Sequence, residues 1–204
     1  MMNESTVQLW MSDLPVAAAD NRELTILLER AATGDASAFE QVMLRTERQV
    51  MLTSRRMLGN PADAEEATQD VFIRVYKYLH RFDRSRAFEP WLYRLTVNVC
   101  NDIAARRPRA GQVVSHEDHV ELPSPTAGPH DVLSADERRR LLETALQDLP
   151  AKQRSAVVLR DLQGLSTTEV ADTLHVSEAT VRSHLSAARL RMKRFIEKRI
   201  RRSS

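Results

Sequence analysis

Apolar residues recur three and four positions apart through most of this sequence, and no stretch shows the apolar–polar alternation of a half-buried strand. The pattern therefore predicts an all-α fold. Four helices are expected in the first half, at residues 22–32, 36–57, 61–80 and 88–107. Four more are expected in the second half, at 135–149, 152–162, 167–174 and from 178 onwards.

Local signals mark where several of these helices begin and end. Gly34 and Gly59 follow the first two apolar stripes and are expected to end those helices. Asn60-Pro61 supplies an N-cap and a proline at the first helical position of the third helix. Ser134 and Ser166 each precede a glutamate by three residues, which is the spacing of a capping box.

One segment interrupts the helical pattern and divides the chain. Residues 108–133 are rich in proline and glycine and are acidic, as in a flexible linker between two small helical domains. The first domain is then expected at residues 22–107 and the second at 134–204. Residues 1–21 show no clean period and are interpreted as a loose N-terminal tail.

The segment from Ser166 to Arg194 predicts a helix-turn-helix. A short capped helix is followed by a turn and then by a second helix, which Ser177 can cap and whose outer face is polar and basic. This order of elements places a recognition helix in the major groove of DNA. The alternative is a basic amphipathic helix with a merely solvated outer face. His175 lies in the turn, where glycine is often required.

The charge distribution favours the DNA interpretation. The formal net charge is only +2, but the C-terminal end is strongly basic and the middle segment is acidic. Clustered lysine and arginine side chains provide salt-dependent affinity for phosphate that does not depend on base sequence.

Composition argues against several other classes of protein. Cys100 is the only cysteine, so neither an internal disulfide nor a cysteine-based zinc site is expected. The run His116-Glu117-Asp118-His119 lacks the spacing and helical setting of a metal site. No catalytic triad or glycine-rich phosphate loop occurs, so we expect no enzyme activity, metal or cofactor. Without an export signal or a long apolar span, the expected location is the cytoplasm.

Aromatic and arginine residues concentrate between Arg81 and Arg107, although aromatic residues make up only 5% of the chain. Aromatic rings can stack on unpaired bases while arginines hold the phosphates, so the mixture suits single-stranded DNA. An asparagine at position 98 could hydrogen-bond a base turned out of the stack. The alternative is that the rings form core and the arginines only solubilise the surface. The cluster comprises Phe82, Phe88, Trp91, Tyr93, Arg81, Arg84, Arg86, Arg94, Arg106 and Arg107.

The helix before this cluster begins with acidic residues. Such a face is commonly just solvated surface, but it also suits a docking site for a protein partner. The polar residues in question are Asp63, Glu65, Glu66, Gln69 and Asp70.

Two sets of motifs resemble the bacterial sigma-70 family. Conserved region 2 of that family is similar to two runs in the first half of the chain: DAEEATQDVFIRVY, from Asp63 to Tyr76, and FEPWLYRL, from Phe88 to Leu95. Conserved region 4 is similar to four short motifs in the second half: Leu149-Pro150, Gln153-Arg154, Leu165-Ser166 and Thr180-Val181-Arg182-Ser183. Chain length and the short linker are similar to those of the extracytoplasmic-function (ECF) group.

The resemblance implies a role for each surface. The third helix would bind the clamp helices of the RNA polymerase largest subunit, with Asp63, Glu66, Gln69, Asp70 and Phe72 as contacts. The −10 promoter element would be recognised and held open by Arg84, Arg86, Trp91, Arg94, Asn98 and Asp102. The −35 element would be contacted by Arg182, Ser183, Ser186, Ala187, Arg189 and Lys193.

The resemblance also implies that the acidic linker threads toward the RNA exit path and that an anti-sigma protein holds the chain inactive. Small Ser186 and Ala187 stand where members often carry large or basic residues, and Asp102 is acidic beside DNA. The leading hypothesis is a sigma factor that directs promoter-specific initiation. The alternative is a stand-alone helix-turn-helix regulator that binds duplex operator DNA, which predicts tight DNA binding without polymerase.

Overall fold

The computed structural model describes residues 21–106 and 134–203. This part of the chain is helical and contains no strand, so the all-α prediction is confirmed. The first group of helices comprises α1 (Asn21–Ala32), α2 (Ala36–Leu58), α3 (Pro61–Tyr78), a 3-10 turn (Leu79–Arg81) and α4 (Phe88–Arg106). The second comprises α5 (Ala135–Gln147), α6 (Ala151–Val157), a π-helical segment (Val158–Leu162), α7 (Thr167–Leu174) and α8 (Glu178–Ser203).

Capping residues define the helix ends of the first group. Asp35 accepts a hydrogen bond from the Ala38 amide at 3.0 Å and so begins α2. Gly59 ends α2 in the left-handed conformation, with φ 74°. Asn60 then caps α3, and Pro61 occupies its first turn.

Helix α2 lies at the centre of the first group and packs against α1, α3 and α4. The core between them is aliphatic and includes Val42, Val50, Val71 and Leu92. Buried threonines occur within it, and Thr46 donates its hydroxyl to the carbonyl one turn earlier on its own helix. Threonine side chains can therefore lie in this core without losing their hydrogen bonds.

The second group follows its predicted caps but differs at one point. Both capping boxes are present, at Ser134–Glu137 and at Ser166–Glu169. The helix expected at 152–162 instead changes to π-helix at Val158, and the Gln163 amide donates to the Val158 carbonyl at 3.0 Å. The wider turn alters the direction of the side chains that follow it.

The two groups pack against each other. The C-terminal end of α2 contacts α5, α6 and the π-helical segment, and one continuous apolar cluster runs through both groups. The predicted linker, 108–133, lies outside the described residues, as do positions 1–20 of the predicted tail. None of the described helices is long and apolar enough to cross a membrane.

Candidate nucleic-acid interface

The helix-turn-helix is formed by α7, a turn at residues 175–177 and α8. Ser177 accepts a hydrogen bond from the Thr180 amide at 3.1 Å and so fixes the start of α8. His175 ends α7 in the left-handed region, with φ 54° and ψ 47°. Its amide closes onto the Ala171 carbonyl, which is the bond that glycine usually makes at such a position.

The outer face of α8 carries the predicted −35 residues. Its inner stripe of Val181, Leu185, Ala188 and Met192 is buried. The opposite face exposes Arg182, Ser183, Ser186 and Ala187. The stripe thus holds α8 on the domain and leaves the predicted reading face toward solvent.

Arg182 is oriented by its neighbours on this face. Its guanidinium donates to Glu178 at 2.6 Å, and the Thr168 hydroxyl of α7 donates to the same carboxylate at 2.7 Å. These bonds direct the arginine toward the N-terminal end of the recognition helix, the end that contacts base edges in helix-turn-helix proteins.

Arg189 occupies a different setting from the other predicted −35 residues. Its Nε and Nη2 donate to the two oxygens of Asp161 at 3.1 and 2.7 Å. The Asp161 side chain is only 4% exposed and lies in the π-helical segment. Arg189 therefore ties α8 to the domain interior, while Lys193, one turn later, is half-buried.

The loop that carries Arg84 and Arg86 is ordered by Asp83. The Asp83 carboxylate accepts from the Ser85 amide at 3.0 Å and from its hydroxyl at 2.7 Å. These hydrogen bonds lower the pKa of Asp83 below its usual value. The turn leaves both arginines exposed beside a cleft of about 160 Å³ between the loop and α1.

The aromatic cluster predicted to stack on bases is largely internal. Phe82, Phe88 and Trp91 lie with ring centroids 5.1–5.6 Å apart, and Phe88 is buried. Tyr93 is also buried and is hydrogen-bonded to Gln49. Only Phe82 and Trp91 keep half-exposed edges, so they alone of these four rings can meet a base.

The remaining −10 candidates lie along α4. Arg94 is exposed and Asn98 is half-buried on the same helix. The Asp102 carboxylate accepts from Arg74 of α3 at 2.9 Å. This ion pair offsets the negative charge of Asp102 on the surface of α4.

The predicted polymerase contacts on α3 differ in accessibility. Glu66 and Gln69 are exposed, and Asp63 and Asp70 are half-buried. Phe72 is only 5% exposed, so it belongs mainly to the core.

Sequence reasoning missed an apolar groove between α2 and α3. Leu44, Ile73 and Tyr76 are 61%, 64% and 67% exposed, and the Tyr76 ring meets Phe39 at 5.1 Å. The groove encloses about 620 Å³, and Phe72 contributes to its lining. The sequence did contain a signal for this groove, namely the width of the apolar stripe on α3. Ile73 and Tyr76 widen that stripe beyond the buried positions Val71 and Val75.

Comparison with known proteins identifies the family of this chain. Residues 43–110 match the profile of Sigma-70 region 2, and residues 139–192 match that of Sigma-70, region 4. The ECF RNA polymerase sigma factor SigM of Mycobacterium tuberculosis is 34% identical over 83% of this chain and 83% of its own length. The ECF RNA polymerase sigma-E factor of Escherichia coli is 30% identical, over 87% of this chain and 96% of its own.

This chain belongs to the ECF sigma factor family. A third ECF sigma factor, SigE of Mycolicibacterium smegmatis, is 34% identical over 82% of this chain, and the match spans 66% of that relative's length. Sigma factors are DNA-recognition subunits of RNA polymerase that direct promoter-specific transcription and are not enzymes. The alternative of a stand-alone regulator is not favoured.

Solved structures share the fold of this ECF sigma factor. CnrH, solved with the cytosolic domain of CnrY, covers 86% of this chain with a TM-score of 0.62 at 24% identity. The sigma factor RpoE of Bartonella quintana, solved with the anti-sigma factor NepR, covers 79% with a TM-score of 0.61 at 23% identity.

Proposed function

We propose that this ECF sigma factor binds core RNA polymerase through α3 and the apolar groove beside it, and reads promoter DNA with α4 and α8. The observation that carries the proposal is the groove. Three large apolar side chains, Leu44 of α2 and Ile73 and Tyr76 of α3, are exposed together within the part of the chain that matches region 2. An exposed apolar surface of this kind marks a site of protein–protein interaction.

Polymerase binding combines this groove with the polar end of α3. Asp63, Glu66, Gln69 and Asp70 provide a polar rim, and Phe72 forms part of the groove floor. The partner is the clamp-helix pair of the largest polymerase subunit. Apolar contacts at the centre and polar contacts at the rim are the usual anatomy of a protein interface.

The −10 element is held as a single strand along α4. Arg84, Arg86 and Arg94 follow the phosphates, Asn98 bonds a base edge, and Trp91 offers the accessible edge of a ring. The cleft beside the loop accepts a base turned out of the duplex. Asp102 acts through Arg74 and orders the face rather than touching phosphate. Binding energy alone holds the strands apart.

The −35 element is read in the duplex major groove by the outer face of α8. Arg182 provides the bidentate donor suited to guanine, and Ser183 bonds neighbouring groups. Ser186 and Ala187 are small, so the helix approaches the bases closely at these positions. Lys193 contacts phosphate, and Arg189 supports α8 from below through Asp161.

An anti-sigma protein is the expected regulator. This part of the proposal is supported by the likeness to RpoE of Bartonella quintana, solved with the anti-sigma factor NepR, and to CnrH, solved with the cytosolic domain of CnrY. The site of action is the cytoplasm, where polymerase and promoter DNA are found.

Run-off transcription tests the proposal. Core bacterial RNA polymerase and the purified chain are given a template carrying the promoter upstream of its own gene. We expect a run-off product that falls at least tenfold with Ile73→Asp, because a charge in the groove weakens polymerase binding. The matched control is Ile26→Asp, since Ile26 is 57% exposed on α1 outside the groove.

A different pattern would contradict the proposal. Absence of product, together with tight binding of operator-like duplex in the absence of polymerase, would support the stand-alone regulator. Equal loss with Ile26→Asp and Ile73→Asp would show that the groove has no special role in polymerase binding.

A further inference from the structure

We infer that Thr168 of α7 and Glu178 of α8 form a relay that holds Arg182 in position to read the −35 element, so that Thr168 affects base specificity without touching DNA. The relay is a chain of two hydrogen bonds that runs from one helix of the helix-turn-helix to the other. The inference rests on the proposed function, because it concerns how the outer face of α8 discriminates between bases.

Both oxygens of the Glu178 carboxylate are engaged in the relay. Oε1 accepts from the Thr168 hydroxyl at 2.7 Å, and Oε2 accepts from Nη2 of Arg182 at 2.6 Å. A glutamate carboxylate with a single partner can still rotate about its last side-chain torsion, which has a broad energy minimum. Bonds from two different helices restrict that rotation, so the guanidinium is held by a carboxylate of defined orientation.

Arg182 keeps the capacity to bind a base while it is held. Its side chain is 64% exposed, and its bond to Glu178 involves only one of the three guanidinium nitrogens. Bidentate donation to O6 and N7 of guanine needs a pair of N–H groups. The relay thus restricts where the guanidinium lies and leaves enough donors for guanine.

Specificity at the start of the recognition helix depends on this one long donor. Within residues 178–188, Arg182 is the only lysine or arginine. The other exposed residues of the reading face have short side chains: Ser183, Ser186 and Ala187. Because the N-terminal part of a recognition helix contacts the base edges, the orientation of Arg182 carries much of the discrimination.

Holding the arginine before DNA arrives lowers the cost of ordering it. Immobilising a long side chain at an interface costs binding free energy, and a side chain that is already held avoids part of that cost. Since only a guanine at the matching position accepts both donors, the gain appears as discrimination between bases, of about three- to tenfold. The same exposed ion pair contributes little to the stability of the fold.

The fold of the helix-turn-helix does not depend on the Thr168 hydroxyl. Ser177 fixes the start of α8 separately, by accepting from the Thr180 amide at 3.1 Å. Val170 of α7 and Val181 of α8 belong to the apolar core beneath the two helices, whereas Thr168 is exposed. A variant without this hydroxyl should therefore keep the fold, and a change in its base preference reports on the relay.

Holoenzyme binding to a set of substituted promoters tests the inference. Core RNA polymerase with the full chain is titrated onto the promoter upstream of the chain's own gene, with each base pair of the −35 element replaced in turn. The penalty at a position is the dissociation constant of the substituted template divided by that of the original. Arg182→Ala identifies the position that Arg182 reads, because the penalty there disappears.

We expect Thr168→Val to lower the penalty at that position at least threefold and to leave the penalties at the other positions unchanged. Thr168→Ser retains the hydroxyl and should retain the penalty, which a packing role of the threonine methyl group would not predict. Thr167→Val is the matched control, since it removes a hydroxyl from the neighbouring position of the same helix, outside the relay. Thermal melting verifies that all three variants are folded.

Two results would overturn the relay. The first is an unchanged penalty in Thr168→Val at the position that Arg182 reads. The second is an equal fall at every position, because that would show a general loss of fit between α8 and the DNA. Absence of any −35 penalty in the wild-type holoenzyme would instead count against the proposed function itself.

A double variant provides a second test. If the relay acts as one unit, removing the carboxylate also removes the contribution of Thr168, so Glu178→Ala and Thr168→Val/Glu178→Ala should show the same penalty. Additive losses would contradict the inference. Loss of a penalty at a different position in Glu178→Ala would also contradict it, since Glu178 would then read a base itself.

Discussion

Burial determines the chemistry of individual side chains in the first group of helices. Burial raises the pKa of the Cys100 thiol to about 12, and raises that of the Tyr93 phenol to about 12, although its bond with Gln49 opposes the change. Both groups remain neutral at physiological pH. Neither is available for proton transfer or nucleophilic attack, in keeping with a protein that binds and does not catalyse.

The raised pKa of Cys100 predicts an unreactive thiol. Because the thiolate is the reactive form, a higher pKa means less thiolate at a given pH. We expect the folded protein to resist a disulfide reagent at pH 8 and to react within minutes once denaturant exposes the residue. Colorimetric thiol titration measures the rate of labelling with and without denaturant. Rapid labelling without denaturant would contradict the burial of Cys100.

Among the described residues other than glycine, His175 alone has a positive φ. A left-handed φ of 54° is uncommon for residues other than glycine; histidine, asparagine and aspartate adopt it more often than the rest, and it is worst for β-branched residues. We predict that His175→Val destabilises the protein by about 1–2 kcal/mol, and that His175→Asn changes its stability by less than about 0.5 kcal/mol. Thermal melting distinguishes them, at about 2–4 °C per kcal/mol for a chain of this size. Equal melting temperatures would exclude strain at this turn.

At the scale of the elements, the π-helical segment has a structural effect that a regular helix would not reproduce. It begins where the predicted helix should continue, and it presents Asp161 to Arg189 of α8. A nearly buried carboxylate paired with two donors of one guanidinium gives strong orientation. The pair thereby sets how α8 lies on its domain and how its outer face is presented.

Arg189 and Lys193 should therefore respond differently to mutation. Arg189→Ala leaves Asp161 without its partner, and we expect a loss of about 2–3 kcal/mol of stability with little change in the salt dependence of DNA binding. Lys193→Ala should leave the melting temperature unchanged and reduce the salt slope by about 1, as the loss of one phosphate contact requires. Calorimetry and binding titrations over a salt series measure both. A reduced salt slope for Arg189→Ala would show that Arg189 contacts a phosphate.

At the scale of the whole molecule, the two groups behave as one packed body because α2 carries contacts to both. Its C-terminal end meets α5 and α6, and the apolar cluster is continuous across the junction. Cooperative unfolding follows from shared packing.

The shared packing predicts a single thermal transition for the free protein. Removing Gln147 and Gln163 side chains weakens the junction without touching either core, so Gln147→Ala/Gln163→Ala should melt in two steps. Differential scanning calorimetry resolves the steps. Two transitions already present in the wild type would show that the groups are thermally independent.

The sequence determined the helices and their ends because capping is a local interaction. Asp35, Asn60, Ser134 and Ser166 each bond a group within three residues, so a short window contains the whole signal. The spacing of apolar residues likewise predicted which helix faces are buried. The two sets of motifs, with region 2 before region 4, indicated the family. These properties depend on neighbours in the chain, and the sequence lists those neighbours directly.

Only the tertiary structure decided which candidate residues face solvent and which surfaces meet. Phe72, Phe88 and Tyr93 are buried because other helices cover them, whereas Ile73 and Tyr76 remain exposed because no described helix does. The bond between Gln147 and Arg56 joins positions 91 residues apart, and that between Gln163 and Thr53 joins positions 110 apart. Contacts of this range depend on how whole helices pack, and no local pattern encodes them.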